Sequence, residues 1–186
     1  MKLYTTEIEV LYVSDSETDT VKQAVEQAVA KRINLESINL LGADLSGADL
    51  SGARMPYARL INVNCTGTNF TDSTLIYANF ERTNFTQATF INADCTNAKF
   101  TESQLILANC TGTDFTYARI EDTNCTGADF TEAQFYQLYC ANCNFTDAQY
   151  TKAYIYSPYI FSVYEFKSSK RLFFDGYQWV YRTSIV

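Results

Sequence analysis

The stretch GADLSGADLSGARM, residues 42–55, repeats a five-residue unit with leucine or methionine at its centre. An α-helix returns to the same face about every 3.6 residues and a β-strand about every two, so neither element explains this period. A period of five predicts a backbone that turns once in every unit.

The same period extends over most of the chain. From Leu35 to Ile155 every fifth residue is apolar or amphipathic, and all nine phenylalanines of residues 33–157 fall at this position. The residue two places earlier is usually alanine, and otherwise most often threonine or serine. Such internal repetition is typical of solenoid architectures. We therefore expect large and small side chains to alternate inside a narrow tube.

Individual units resemble a known repeat family. ADLSG at residues 43–47, ANFER at 78–82 and ADFTE at 128–132 are similar to units of the pentapeptide-repeat family. This resemblance implies an all-β solenoid, a right-handed quadrilateral β-helix in which four units form one coil. The repeat would then make about six coils with strands spaced at roughly 4.8 Å. Residues twenty apart would stack on one side.

The repeat divides the chain into three predicted parts: residues 1–32, 33–157 and 158–186. The first is expected to hold a strand and a helix that cap the first coil, with Ser14 and Glu17 as the helix capping box. The helix has one apolar face, formed by Val21, Ala24, Val25, Ala28 and Val29. The last part is rich in aromatic and β-branched residues and contains a DG turn, which predicts a β-rich tail, hairpin-like in form. Whether that tail is a cap or a dimerisation element stays open.

Composition argues against several classes of function. The chain has 186 residues, a net charge of −7 and no histidine. An acidic surface disfavours direct binding to nucleic acid or to anionic membranes, and a chain without histidine lacks the commonest general base and metal ligand. No secretion signal or membrane span is evident. We expect a cytoplasmic, non-enzymatic protein without cofactor or metal.

Cysteines are the remaining candidates for chemistry. Five of the six occupy the large inward position, and Cys143 occupies the small inward one. Cys140 and Cys143 form a CxxC pair, which in other proteins can be a redox or zinc motif. With no histidine and no second pair, we interpret the cysteines as compact apolar fillers.

The twenty-residue period also aligns residues on the outside. It predicts a column with Tyr57, Tyr77 and Tyr117, and beside it a column of cations with Arg59, Lys99 and Arg119. Tyrosine and arginine are enriched at protein-binding surfaces, so these six residues are the candidate partner-binding site. Stacked tyrosines and cations would equally stabilise successive coils, and the sequence leaves both interpretations open.

A second candidate surface is acidic: Glu81, Glu102, Glu121 and Asp122 are predicted to lie on the next face. Some members of the family protect DNA gyrase by imitating duplex DNA, so the resemblance also implies an alternative function as a DNA mimic that binds a topoisomerase. The preferred hypothesis is a rigid scaffold that binds another protein, with a possible homodimer through the C-terminal tail.

Overall fold

The computed structural model describes residues 1–7, 10–13, 16, 19–156, 159–161, 170–174 and 179–183. Most of these residues belong to one continuous repeat. Parallel bridges join residues twenty apart, from Asn39–Arg59 at one end to Asp129–Gln149 at the other. Because a bridge recurs at every fifth residue, four short sides complete each coil. The prediction of a repeat solenoid is confirmed.

Hydrogen bonds between coils follow the same period. The backbone N–H of Leu45 donates to the carbonyl of Asn64 at 2.8 Å, and the N–H of Asn64 donates back to Ala43 at 3.0 Å. Equivalent pairs recur in unit after unit along the shaft. Each coil therefore bonds to the coil before it and the coil after it, as in other solenoids.

The bore is filled by the central residues of the units. Phe85, for example, is fully buried and its ring makes edge contacts with Phe80 at 5.1 Å and with Phe90 at 5.0 Å between centroids. Phe70 stacks on Phe90, one coil away, at 5.0 Å. Seven phenylalanines have no exposed surface: Phe70, Phe80, Phe85, Phe90, Phe100, Phe115 and Phe130.

Buried hydroxyl groups at the small inward position have a fixed partner. Thr68 Oγ1 donates to the carbonyl of Leu45 at 2.7 Å, and Thr113 Oγ1 donates to that of Phe90 at the same distance. In both cases the acceptor is the central residue 23 positions earlier. A buried polar group is tolerated when it is hydrogen-bonded, which explains why threonine and serine replace alanine here.

The turn of each unit lies two residues after the centre. Every residue at this position from Ser37 to Lys152 has a positive φ, between 51° and 69°. Six of them are glycines, for which this conformation carries no steric cost. Tyr57, Tyr77 and Tyr117 adopt it as well, at 57° to 58°. These tyrosines therefore lie at a corner of the shaft.

Strands of three residues appear toward the C-terminal end of the shaft. One parallel sheet consists of β3 (Lys99–Thr101), β4 (Arg119–Glu121), β6 (Tyr139–Ala141) and β8 (Tyr159–Phe161). A second pairs β5 (Gln134–Tyr136) with β7 (Tyr154–Tyr156) in parallel. Beyond them β9 (Lys170–Phe174) and β10 (Trp179–Thr183) pair antiparallel. The predicted turn at Asp175 and Gly176 lies outside the described residues.

The chain begins with strand β1 (Lys2–Tyr4), which pairs antiparallel with β2 (Val10–Val13), and continues into helix α1 (Val21–Ala30). The predicted start of the helix is wrong. Its capping box is formed by Thr20 and Gln23, and Thr20 stands directly before Val21, the first residue of the apolar face. Ser14 and Glu17 lie outside the described residues. The predicted apolar face does turn inward, with Ala24, Val25 and Ala28 buried.

Two side chains of α1 bond to the backbone of the first coil. Lys22 Nζ donates to the carbonyl of Ser46 at 2.8 Å, and Glu26 Oε1 accepts from the N–H of Asp49 at 3.0 Å. The Ser46 carbonyl and the Asp49 N–H point toward the N-terminal end, where no earlier coil is present to pair with them. Within the described part of the chain, no helix is long and apolar enough to cross a membrane.

Candidate functional site

The predicted tyrosine column forms one corner of the shaft, which we name the tyrosine edge: Tyr57, Tyr77, Asn97 and Tyr117. The rings of Tyr57 and Tyr77 stack in parallel, 5.1 Å apart with 1° between their planes. They remain 53% and 50% exposed. Tyr117, two coils further on and 55% exposed, contacts the ring of Tyr136 edge to face at 5.9 Å. The edge therefore carries two aromatic groups separated by Asn97.

The predicted cations lie on the side of the shaft that follows this edge, which we name the cation side. Bridges and strand pairs place Arg59, Asn79, Lys99 and Arg119 in one column. The column continues to Tyr139, whose ring centroid is 4.6 Å from the Arg119 guanidinium carbon. The structure thus brings the six predicted partner-binding residues together on one edge and the adjoining side.

Two of the predicted acidic residues lie on this same side and not on the next one, as the sequence had suggested. Glu121 belongs to the same short strand as Arg119, and Glu81 occupies the equivalent place two coils earlier. Each acid stands two places after the column of cations and directly before the next corner residue, Arg82 or Asp122. Glu102 and Asp122 lie at the following corner, which we name the acidic edge, with Arg82 and Asn142.

The acids on the cation side are paired with its cations. Glu81 accepts a hydrogen bond from Lys99 Nζ at 2.9 Å and forms an ion pair with Arg82. The hydrogen bond from Lys99, together with the nearby charges of Lys99 and Arg82, lowers the pKa of the Glu81 carboxyl. Glu121 lies 2.6 Å from a terminal nitrogen of Arg119. The two candidate sites are therefore parts of one surface, on which acids and cations partly neutralise each other.

Sequence reasoning missed one member of this surface, Arg54. It occupies the position in its unit that Arg59 occupies in the next, on the side that precedes the tyrosine edge. Both arginines are exposed, and Tyr57 lies at the corner between them. The signal was present as RMPYAR, residues 54–59, in which the five-residue spacing places the two arginines on adjoining sides.

Another side of the shaft satisfies its own polar groups. Asn64 Oδ1 accepts from the N–H of Thr66 at 3.2 Å and from its hydroxyl at 2.8 Å. Asn84, one coil later, donates from Nδ2 to the Thr66 hydroxyl at 3.0 Å. The same arrangement recurs between Asn124, Thr126 and Asn144. This asparagine–threonine ladder stabilises neighbouring coils.

The cysteines lie inside the bore. All six are buried and free. Burial raises the pKa of the Cys65 and Cys110 thiols, and a hydrogen bond with Cys143 together with burial raises that of Cys140. Cys143 Sγ lies 3.2 Å from the carbonyl of Ile120, the place that a threonine hydroxyl occupies in other coils. Among the described residues, no group of three His, Cys, Asp or Glu is arranged to hold a metal ion.

The family model for pentapeptide repeats matches eight copies, over residues 31–64, 57–90, 68–105 and 108–147. These matches cover more than half of the chain. The chain belongs to the pentapeptide-repeat family. No curated protein sequence matches it.

Solved structures of other pentapeptide-repeat proteins are similar to it. HetL from the cyanobacterium Nostoc sp. strain PCC 7120, involved in heterocyst differentiation regulation, is 17% identical; the match covers 70% of this chain and 91% of HetL, with a TM-score of 0.26. QnrB1, a plasmid-mediated fluoroquinolone resistance protein, is 16% identical over 72% of this chain and 85% of its own, with a TM-score of 0.27. A protein from the Arabidopsis thaliana thylakoid lumen is 32% identical over 61% of this chain and 66% of its own, with a TM-score of 0.22.

Proposed function

We propose that this pentapeptide-repeat protein is a non-enzymatic scaffold that binds another protein through the tyrosine edge and the cation side. In this proposal the rod has about six coils, at roughly 4.8 Å for each. Residues 1–32 cap one end, and residues 158–186 form a cap or a dimerisation element at the other. The observation that carries the proposal is the stacked pair Tyr57 and Tyr77, half exposed on a regular backbone.

Tyrosine suits protein recognition for a physical reason. Its ring offers a large contact area, its hydroxyl can bond to the partner, and few rotatable bonds have to be fixed on binding. Stacking also pre-orders Tyr57 and Tyr77, which lowers the entropic cost of binding further. The alternative role is purely structural, since a stacked aromatic pair contributes about 0.5–1.5 kcal/mol to stability. The two roles predict different outcomes when the tyrosines are removed.

The test compares proteins captured from native lysate by the wild type and by the triple variant Tyr57→Ala, Tyr77→Ala and Tyr117→Ala. A matched control replaces residues that share the same turn conformation at the diagonally opposite corner: Gln87→Ala, Leu107→Ala and Asp147→Ala. The proposal expects a specific protein to be captured by the wild type and the control but lost with the tyrosine variant. Equal capture by all three, with thermal stability lowered only in the tyrosine variant, would assign the tyrosines a structural role.

Our second proposal is binding to DNA gyrase or another topoisomerase as a DNA mimic. It is supported by the net charge of −7 and by Glu102 and Asp122, exposed one coil apart on the acidic edge. We rank it second because the cations Lys99 and Arg119 pair with the remaining acids of the surface. It expects inhibition of gyrase supercoiling that is lost when Glu81, Glu102, Glu121 and Asp122 are replaced by glutamine or asparagine. An unaffected gyrase would exclude gyrase as the target, and equally unaffected activity of other topoisomerases would exclude the proposal.

We also propose a homodimer through residues 158–186 and a cytoplasmic location. Six free cysteines support the location, because a reducing compartment keeps thiols unpaired. The dimer rests on the aromatic and β-branched composition of the tail. Light scattering on the full chain tests it directly, since a mass of one chain at all concentrations excludes the dimer.

A further inference from the structure

Two exposed arginines lie beside the tyrosine stack. Arg54 and Arg59 are exposed, and neither enters an ion pair with any residue that the structure describes. Neutral side chains occupy the neighbouring coils of each column, with Thr74 next to Arg54, and Asn39 and Asn79 on either side of Arg59. Both guanidinium groups are therefore free to bind an anionic group of another molecule.

Three acids lie in the early coils. Glu36 lies on the side of Arg54, one coil earlier, where its carboxylate accepts a hydrogen bond from Asn34 Nδ2 at 3.4 Å. Asp44 and Asp49 lie on the other two sides of the shaft. Their carboxylates accept hydrogen bonds from the backbone N–H groups of Ser46 and Ser51, at 3.0 and 3.1 Å. Each also accepts a bond from an asparagine amide of the next coil, at 3.0 Å. Asp44 and Asp49 therefore lie on the half of the circumference opposite to the two arginines.

The other end of the cation side has a different character. There Lys99 pairs with Glu81 at 2.9 Å and Arg119 pairs with Glu121 at 2.6 Å. A cation that already has a carboxylate partner gains little from a second, because the local charge is nearly neutral. The six-residue site predicted from the sequence therefore has two electrostatically different halves.

We name the N-terminal half together with Arg54 the arginine–tyrosine cluster: Arg54, Tyr57, Arg59 and Tyr77. We infer that the arginine–tyrosine cluster binds an acidic peptide segment of the partner protein. Carboxylates of the segment pair with the two guanidinium groups, whose planar donor fork matches a carboxylate, and an apolar side chain covers the tyrosine rings. This inference rests on the proposed scaffold function and specifies the chemistry of the partner.

Geometry sets the spacing that such a segment needs. Arg54 and Arg59 are five residues apart along the chain, so their Cα atoms are separated by at most about 17 Å. Because they lie on sides that meet at Tyr57, a segment that crosses the corner passes both arginines. An extended peptide of about five residues is therefore long enough to span it. The partner segment is therefore expected to carry acids on both sides of one central apolar residue.

Calorimetry at low salt tests the inference. The protein is titrated with the synthetic peptide EEEWEEE and, as a charge-reversed probe, with KKKWKKK. We expect EEEWEEE to bind and KKKWKKK not to bind at this corner. The double variant Arg54→Gln and Arg59→Gln should weaken binding by about tenfold or more. The matched variant Arg82→Gln and Lys152→Gln makes the same charge change at cations that are already paired, and should leave the affinity within about twofold. Higher salt should weaken wild-type binding.

Three results would overturn the inference: no binding of EEEWEEE, equal weakening in both double variants, or tighter binding of a duplex DNA than of the peptide at the same arginines. Failure here can be separated from failure of the scaffold proposal. If the tyrosine variant loses a captured protein but EEEWEEE does not bind, only the acidic chemistry of the partner is wrong.

Discussion

Replacing Phe85 by alanine should destabilise the shaft more than almost any other single substitution. Phe85 has no exposed surface, and its ring lies within 5.0–6.0 Å of four other phenylalanine rings. Truncation of a fully buried phenylalanine costs about 3–5 kcal/mol, the lost burial plus the cavity that remains. A domain of this size is typically stable by about 5–15 kcal/mol, so the variant should lose a large share of its free energy of unfolding.

Equilibrium denaturation by urea, followed by circular dichroism, measures this loss. The matched control is Leu107→Ala, which removes a large apolar side chain that is 56% exposed and should change stability by no more than about 0.5 kcal/mol. Phe85→Leu should lie between the two. A loss of less than about 1 kcal/mol in Phe85→Ala, or equal losses in Phe85→Ala and Leu107→Ala, would refute the assignment of the central residues to the bore.

Two further predictions concern the turns and the ion pairs. Gly127→Ala should lower the free energy of unfolding by about 1–2 kcal/mol, because alanine is strained at the φ of 65° found there. The new Cβ would also lie 2.7 Å from Leu107 Cδ2, but this is the end of a flexible side chain that can move away. Adding Leu107→Ala should therefore restore only a small part of the loss. Full rescue would contradict the explanation by strain. Lys99 lowers the pKa of Glu81, so this pair contributes stability above the carboxyl's unfolded pKa and loses it as the pH falls through the folded value. Thermal melts from neutral to acidic pH should therefore show a smaller acid-induced loss in Lys99→Met than in the wild type, and an equal loss would contradict the assignment.

The repeat could be predicted from sequence because its signal is both local and periodic. A large residue at every fifth position, with a small one two places before it, has to turn both inward, and Phe70 through Phe130 do so. The column that joins Arg59 to Arg119 follows from the same period. These features depend on backbone register alone.

Other features depend on side-chain conformation and could not be predicted. Lys99 and Glu81 are 18 residues apart, so no twenty-residue column contains both, and only the extended lysine side chain brings them together. Arg54 was missed because it does not belong to the column of Arg59. It lies on the adjoining side, so a comparison of residues twenty apart does not relate the two arginines. The start of α1 was misplaced because Ser14–Glu17 and Thr20–Gln23 both match a capping pattern, and sequence spacing alone does not rank them.

Backbone conformation supplies an independent reason to look for a partner at the tyrosine edge. A bulky residue at positive φ costs about 1–2 kcal/mol, and most corner positions avoid that cost with glycine or reduce it with asparagine or aspartate. Tyr77 recovers about 0.5–1.5 kcal/mol by stacking on Tyr57, which is similar in size to its strain. Tyr77→Gly should therefore unfold within about 1 kcal/mol of the wild type, since relief of strain offsets the lost stack and the added chain entropy.

The same variant should lose the protein captured in the lysate comparison. Asn97 makes this expectation specific, because it occupies the same edge without an aromatic ring and with the same backbone conformation. The fold therefore does not require tyrosine at this corner. A loss of more than about 2 kcal/mol in Tyr77→Gly would show that stacking outweighs strain, and the tyrosines would then be explained by coil stability without any partner.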